Sequence, residues 1–186
     1  MFADDTKIYG PAADHMNIQN DLLALMDWSN IWLLTFNIIK CGVLHYGYNK
    51  ILTLDYYMDC NQDKKLQVIT TEKDLGVTFS KNLKFDEHIN KIVNKANQMT
   101  GLIKRTFTYL DKNMFLKLYK SIVRPHLEYA NVIWHPILKR QRKLIEQVQR
   151  RATKIPFELK LLSYSERLKI LDLTYLALNI AKQELI

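Results

Sequence analysis

Two adjacent aspartates, Asp4 and Asp5, stand in the stretch MFADDTKIYG, between an apolar triplet and a short alternating run. Carboxylates at the tip of a turn offer oxygens to a divalent cation, and magnesium asks for one or two of them together with water and substrate phosphates. Neighbouring strand residues point to opposite faces, so only a turn at the pair lets both converge. An ordinary polar turn accounts for the pair as well, because aspartate is common in turns. Lys40 follows an apolar run and could neutralise, or protonate, a departing phosphate; a solvated lysine is the plain alternative. Cys41 and His45 are four residues apart, but no second Cys/His pair has ligand spacing, which argues against zinc. His126 and His135 form no triad with a nucleophile, and the five glycines make no phosphate-binding loop of Walker or dinucleotide type.

The second chemical signal is charge. The net charge is +8 over 186 residues, and it is unevenly spread. Residues 1–60 carry three lysines against seven aspartates (−4), and residues 61–186 carry 24 basic against 12 acidic residues (+12). An acidic head suits metal ions and a basic body suits phosphates. Lys91, Lys95, Lys104 and Arg105 fall on or beside one amphipathic pattern, and Lys139, Arg140, Arg142, Lys143, Arg150, Arg151 and Lys154 on another. Such faces can track a phosphate backbone with little regard for sequence; a solvated helix face is the plain alternative. The longest apolar-rich run, Ile31 to Ile39, is too short for a bilayer, which needs about 20 residues. The acidic start lacks a basic region of signal-peptide type. The two cysteines, Cys41 and Cys60, read as reduced thiols of an intracellular protein, nuclear or cytoplasmic.

The elements that must position these groups follow from periodicity. The first ten residues read as a strand end, a turn at Asp4-Asp5 and a second strand, punctuated by Gly10-Pro11. A helix is expected from about Asp14, its N-cap, to Trp32, with Ile18, Leu22, Leu25 and Trp32 on one side and Trp28 and Trp32 in the core. LLTFNIIKCGVLHYG reads as one or two strands reaching Lys40. Weaker strand signals lie at Leu54–Tyr57 and Leu66–Ile69, and a clearer one at Leu75–Ser80. From residue 85 the period changes. Ile89, Ile92, Val93, Ala96, Met99 and Ile103 form one helical stripe; Met114, Phe115, Leu118, Tyr119 and Ile122 form a second, expected to end near Arg124-Pro125. Leu144, Ile145, Val148, Ala152 and Ile155 form a third, stopped by Pro156, and one or two helices follow, capped by Ser163 or Ser165. The fold class is therefore α+β: a small antiparallel β-rich part over residues 1–84, then a mainly helical bundle over residues 85–186.

In order, FADDTKIY, WSNIWLLTFNIIKCGVLHYG, EKDLGVTFSKNLKFDEHI, LYKSIVRPHLEYANVIW and IEQVQRRATK resemble the carboxyl half of a reverse transcriptase of a jockey-like non-LTR retrotransposon. The resemblance runs over nearly the whole chain. It implies an RNA-directed DNA polymerase whose palm end and thumb are represented here, with residues 1–84 as palm remnant and 85–186 as thumb and carboxyl extension. Asp4 and Asp5 would then be catalytic magnesium ligands, with Asp4 the stronger match. Lys40 would lie near the departing pyrophosphate, and Leu75-Gly76-Val77 would match the hairpin that grips the primer end. Lys91, Lys95, Lys104, Arg105, Arg142, Lys143, Arg150, Arg151 and Lys154 would face the duplex of RNA template and DNA primer.

The resemblance also implies a further metal-binding aspartate on an earlier palm strand, and fingers that hold the incoming nucleotide. Neither has a counterpart in these 186 residues. In-line phosphoryl transfer of this type uses two metals bridged by carboxylates from more than one strand. The isolated chain is therefore expected not to polymerise. A non-catalytic basic module binding RNA or DNA, or a transposon relic without activity, are the alternatives.

Overall fold

The computed structural model describes residues 6–47 and 54–176. It is a mixed α+β chain, with short strands early and a mainly helical part after them. The chain divides into two compact units: Met1–Glu72 with Ser80–Leu83, and Lys73–Phe79 with Lys84–Ile186.

The first unit is built on helix α1 (His15–Trp32), entered through a single 3-10 turn at Ala12–Asp14. Asp14 sits at the N-cap position, but its side chain makes no capping bond. The helix ends with Leu33 in the left-handed region (φ 55°), where its N–H bonds the Ser29 carbonyl. Strands β1 (Gly42–Leu44) and β2 (Gln67–Ile69) pair in parallel, with Gly42 opposite Gln67 and Leu44 opposite Ile69. This departs from the antiparallel arrangement expected here. Gly42 allows a close approach at that register: a Cβ there would stand 3.0 Å from Ile69 Cγ2, and the isoleucine side chain would have to shift. Residues 6–10, expected as a strand, lie in no strand of the described ladders. Tyr56, Met58 and Leu66 form the buried centre, with Ile18, Leu22, Met26, Phe36, Ile38 and Val43 packed around it.

Polar side chains of α1 carry much of this packing. Gln19 donates from Nε2 to the Tyr57 carbonyl (2.8 Å) and accepts at Oε1 from the Tyr57 N–H (2.9 Å). One amide thus satisfies both backbone groups of a residue 38 positions away, as a neighbouring strand would. The expectation that Trp28 and Trp32 are core residues is overturned: they are 44% and 64% exposed, and the buried residue of the helix is Ser29. The inward face of α1 is set by His15, Ile18, Gln19, Leu22 and Met26, which lie at helical spacing. That places both tryptophans on its other side.

Strands β3 (Thr71–Asp74) and β4 (Val77–Ser80) form a hairpin closed by Leu75 and Gly76, with φ of 43° and 84°. Two successive positive φ values are the signature of the type I′ turn, whose twist matches the strands it joins. The clear strand signal at Leu75–Ser80 therefore divides into a turn followed by β4, and β3 was hidden in the polar run Thr-Glu-Lys-Asp.

The helical unit contains six helices among the described residues: α2 (Asp86–Thr106), α3 (Lys112–Leu118), α4 (Arg124–Glu128), α5 (Asn131–Trp134), α6 (Lys139–Ala152) and α7 (Tyr164–Ile170). Asp86 and Glu87 in the first turn of α2, and Lys104 and Arg105 in its last, complement the helix dipole. Asp111 caps α3 by accepting from the N–H groups of Asn113 (2.7 Å) and Met114 (2.8 Å). Ser163 and Glu166 form a reciprocal capping box on α7.

The helix expected to stop near Arg124-Pro125 continues instead. A π-helical segment, Tyr119–Val123, connects α3 to α4, and the Arg124 N–H bonds the Tyr119 carbonyl five residues back. Pro125 has no N–H to give, and its ring crowds the carbonyl four residues before it. Widening the turn by one residue moves that carbonyl aside, so the proline is accommodated in the opening turn of α4. Ile89, Val93, Phe115, Tyr119, Val123, Leu127, Trp134, Ile145 and Val148 are among the residues that close the core of this unit. Each such side chain contributes about 1.5–3 kcal/mol on burial.

Candidate nucleic-acid interface

The nine cations implicated by the sequence lie on α2, on α6 and just past the end of α6, and all nine are exposed. The reason is the pattern itself. On α6, Gln141, Ile145, Val148, Gln149 and Ala152 turn inward. Lys139, Lys143, Arg150 and Lys154, at spacings of four, seven and four, follow a line on its opposite side. On α2, Ile89, Val93, Ala96 and Ile103 turn inward and leave Lys91 and Lys95 outside.

Several of these cations already have partners. Lys91 pairs with Glu87 (2.7 Å) and reaches Thr78 Oγ1 (3.5 Å). Arg142 Nε donates to the Pro136 carbonyl (2.8 Å), and Arg151 to Gln147 Oε1 (3.4 Å). Among the described residues, Lys95, Lys104, Arg105, Lys143 and Lys154 form no ion pair.

Two glutamines missed in the sequence hold this face in place. Gln141, buried, donates to the Lys84 carbonyl and to Asp86 Oδ1 (both 2.8 Å) and accepts from the Leu138 N–H (3.2 Å). With the Arg140–Asp86 ion pair (2.7 Å) it ties the start of α6 to the start of α2. A shallow depression of 380 Å³ lies beside this tie, lined by Asp86, Ile89, Asn90, Arg140, Gln141 and Leu144. Gln149, also buried, accepts from the Tyr119 hydroxyl (2.9 Å) and donates to the Thr174 carbonyl (2.9 Å) and the Tyr164 hydroxyl (3.2 Å). Tyr164 in turn donates to Glu146. Burial pushes the Tyr119 and Tyr164 phenols well above their ordinary value, so both remain donors at any physiological pH. A glutamine inside an apolar stripe carries no sequence signal of its own beyond its position in the buried register.

The hairpin tip has a defined support. Val77 is buried. The Tyr129 hydroxyl donates to the Leu75 carbonyl (2.9 Å), and its ring lies where a Cβ on Gly76 would come within 3.1 Å. The Thr78 N–H donates to His88 Nδ1 (3.2 Å). That bond places the His88 proton on Nε2, which is buried without a hydrogen-bond partner in a ring tilted against Trp134 (5.4 Å). Burial, and then the charge of Lys91, hold the His88 pKa below its ordinary value, so the ring is neutral at pH 7. Of the three primer-grip candidates, Leu75 and Gly76 form the turn and Leu75 is exposed, while Val77 is an anchor in the core.

The catalytic candidates are placed differently. Asp4 and Asp5 lie outside the described residues. Lys40 closes a 3-10 turn (Ile38–Lys40) rather than a strand, and its side chain is exposed. Ile38 packs inward there while Ile39 is 92% exposed. Among the described residues, no three His, Cys, Asp or Glu side chains gather in a metal-binding group. Cys41 and Cys60 are free thiols. No helix among the described residues is long and apolar enough to cross a membrane.

No family model matches the chain, and no solved structure matches it. The chain is similar to an uncharacterized protein of Caenorhabditis elegans, 29% identical over 82 residues, which is 44% of this chain and 41% of that protein. The chain thus matches less than half the length of that relative.

Proposed function

We propose that the chain is a segment of an RNA-directed DNA polymerase of a non-LTR retrotransposon, and that its helical unit holds the template–primer duplex through backbone phosphates. The observation that supports the duplex-binding role is the exposure of all nine cations on α2 and α6 above a packed core. The five ordered motifs supply the polymerase ancestry. Contacts to phosphate are sequence-blind and release counterions, so binding weakens steeply with salt. In this reading Asp4 and Asp5 are magnesium ligands of the intact polymerase, and the 186-residue chain alone does not extend a primer. The protein acts inside the cell, in the nucleus or the cytoplasm.

A second reading, a non-catalytic module binding RNA or DNA, is supported by the helical unit's own apolar core. Both readings meet the same first test. An RNA–DNA duplex is titrated against the full chain at several salt concentrations, with Arg150→Ala/Arg151→Ala beside the wild type. Affinity that falls with salt, with a slope about two smaller in the double variant, is the expected result. Binding indifferent to both salt and variant defeats both readings. A primer-extension assay then separates them. Extension by the isolated chain, abolished by Asp4→Ala, would contradict the expected inactivity and the module reading together.

A further inference from the structure

Arg167 is 1% exposed, and its Nε and Nη1 have no hydrogen-bond partner. Among the described residues, no carboxylate forms an ion pair with it. Its guanidinium lies 5.5 Å from the centre of the Tyr164 ring, and that of Arg150 lies at the same distance from the same ring. Tyr175 stands edge-on to that ring at 5.7 Å. Two cations therefore share one aromatic platform, one buried and one at the surface. Neither the ring nor the neighbouring glutamine supplies a negative charge, and the Glu146 carboxylate lies at the phenol's hydroxyl, from which it accepts a hydrogen bond.

A buried guanidinium costs several kcal/mol unless it is both paired and hydrogen-bonded. A cation–π contact offsets only part of that. Placing Arg150 beside it adds repulsion. This is the arrangement of an anion site without its anion. Guanidinium presents a fork of donors that matches the oxygens of phosphate, so phosphate fits it better than halide does.

We propose that Arg167 and Arg150, on the Tyr164 ring, bind a phosphate group, and that the group is a backbone phosphodiester of the nucleic acid bound by α2 and α6. The second clause rests on the nucleic-acid reading above; the phosphate site itself does not. Arg150 makes the first contact at the surface, and Arg167, whose Nε and Nη1 are covered in the free chain, supplies its two unused donors once the side chains over it part. Because Arg167 is buried, its contact with the group is water-excluded and less screened by salt than those of the exposed lysines.

The test uses the full chain and two probes, inorganic phosphate and an RNA–DNA duplex. The Arg167 Nε–H resonance, assigned from its loss in Arg167→Lys, is followed in heteronuclear NMR. Saturable movement of that resonance with phosphate, weakened about tenfold by Arg150→Gln, is expected. Wild-type melting temperature should rise with phosphate more than that of Arg167→Met, because only a bound native state gains from the ligand. In phosphate-free buffer Arg167→Met should melt above wild type, having lost an uncompensated charge. An unmoved resonance, or an Arg167→Met that melts lower, overturns the site. Duplex binding with equal affinity in wild type and Arg167→Lys refutes the duplex as the source of the phosphate, and leaves the nucleic-acid reading intact. Movement with phosphate but no binding of duplex upholds the phosphate site and refutes its nucleic-acid source.

Discussion

Gly76→Ala tests the hairpin tip most directly. At φ 84° an added Cβ meets the following carbonyl, at a cost of about 1–2 kcal/mol. The same carbon would stand 3.1 Å from Tyr129 Cε1, so the ring must withdraw. Withdrawal stretches the 2.9 Å bond from the Tyr129 hydroxyl to the Leu75 carbonyl, which contributes about 1 kcal/mol. The sum is about 2–3 kcal/mol. Tyr129→Phe should cost only about 1 kcal/mol, because Leu75 is exposed and water replaces the hydroxyl. Both variants disrupt one bond, so the double variant should cost about 1 kcal/mol less than the two singles added. Urea unfolding measures this in a Trp28→Phe/Trp32→Phe background, which leaves Trp134 as reporter. Its indole donates to the Tyr129 carbonyl at 2.7 Å, so its emission senses the same neighbourhood. A Gly76→Ala chain within about 0.5 kcal/mol of the parent would refute the positive-φ turn and its support by Tyr129, since substitutions at unremarkable surface sites cost no more.

Acid should loosen the contact between Thr78 and His88. Because the folded pKa of His88 is lowered, the unfolded chain binds its proton more readily. Stability is then fully present above the ordinary histidine value of about 6.5 and declines as pH falls through that value toward the folded one. Urea midpoints between pH 5 and 8 should show this slope, and His88→Gln should flatten it. Gln149→Leu should destabilise by roughly 2–4 kcal/mol, since the Tyr119 hydroxyl and the Thr174 carbonyl both lose a partner; thermal unfolding that shifts by less than Tyr119→Phe does would contradict the network. Limited proteolysis read by mass spectrometry should cut first within residues 1–60, and first cuts inside α2 or α6 would overturn the ranking of the two cores.

The helical stripes were legible because a long amphipathic period survives local exceptions, and Ile89, Val93, Ala96 and Ile103 all turned inward as the spacing required. The cationic residues were legible for the same reason, being the complement of that stripe. What hid was whatever depends on a partner distant in sequence. Trp28 and Trp32 read as core from hydrophobicity, yet the face of α1 is chosen by His15 and Gln19 meeting Asp55 and Tyr57 about forty residues on. Pro125 read as a stop because its rule is local, and the π-helical segment that absorbs it has no residue signature. β3 is polar throughout and shows itself only through its pairing with β4. Gln141, Gln149 and Arg167 look like surface residues by type, and only their places in the buried register mark them.

The first compact unit borrows residues Ser80–Leu83 from beyond the β3–β4 turn. Lys81 secures it twice, its carbonyl accepting from the Gly47 N–H (3.0 Å) and its N–H donating to the Thr70 carbonyl (3.1 Å). During synthesis the ribosome must therefore release residue 83 before the head can close. β1 must also wait for β2, 25 positions later in the register from Gly42 to Gln67, and such distant parallel pairing is slow to form. Through that interval α1, already translated, lacks the residues that cover Ile18, Leu22 and Met26, which makes it a segment a chaperone would meet.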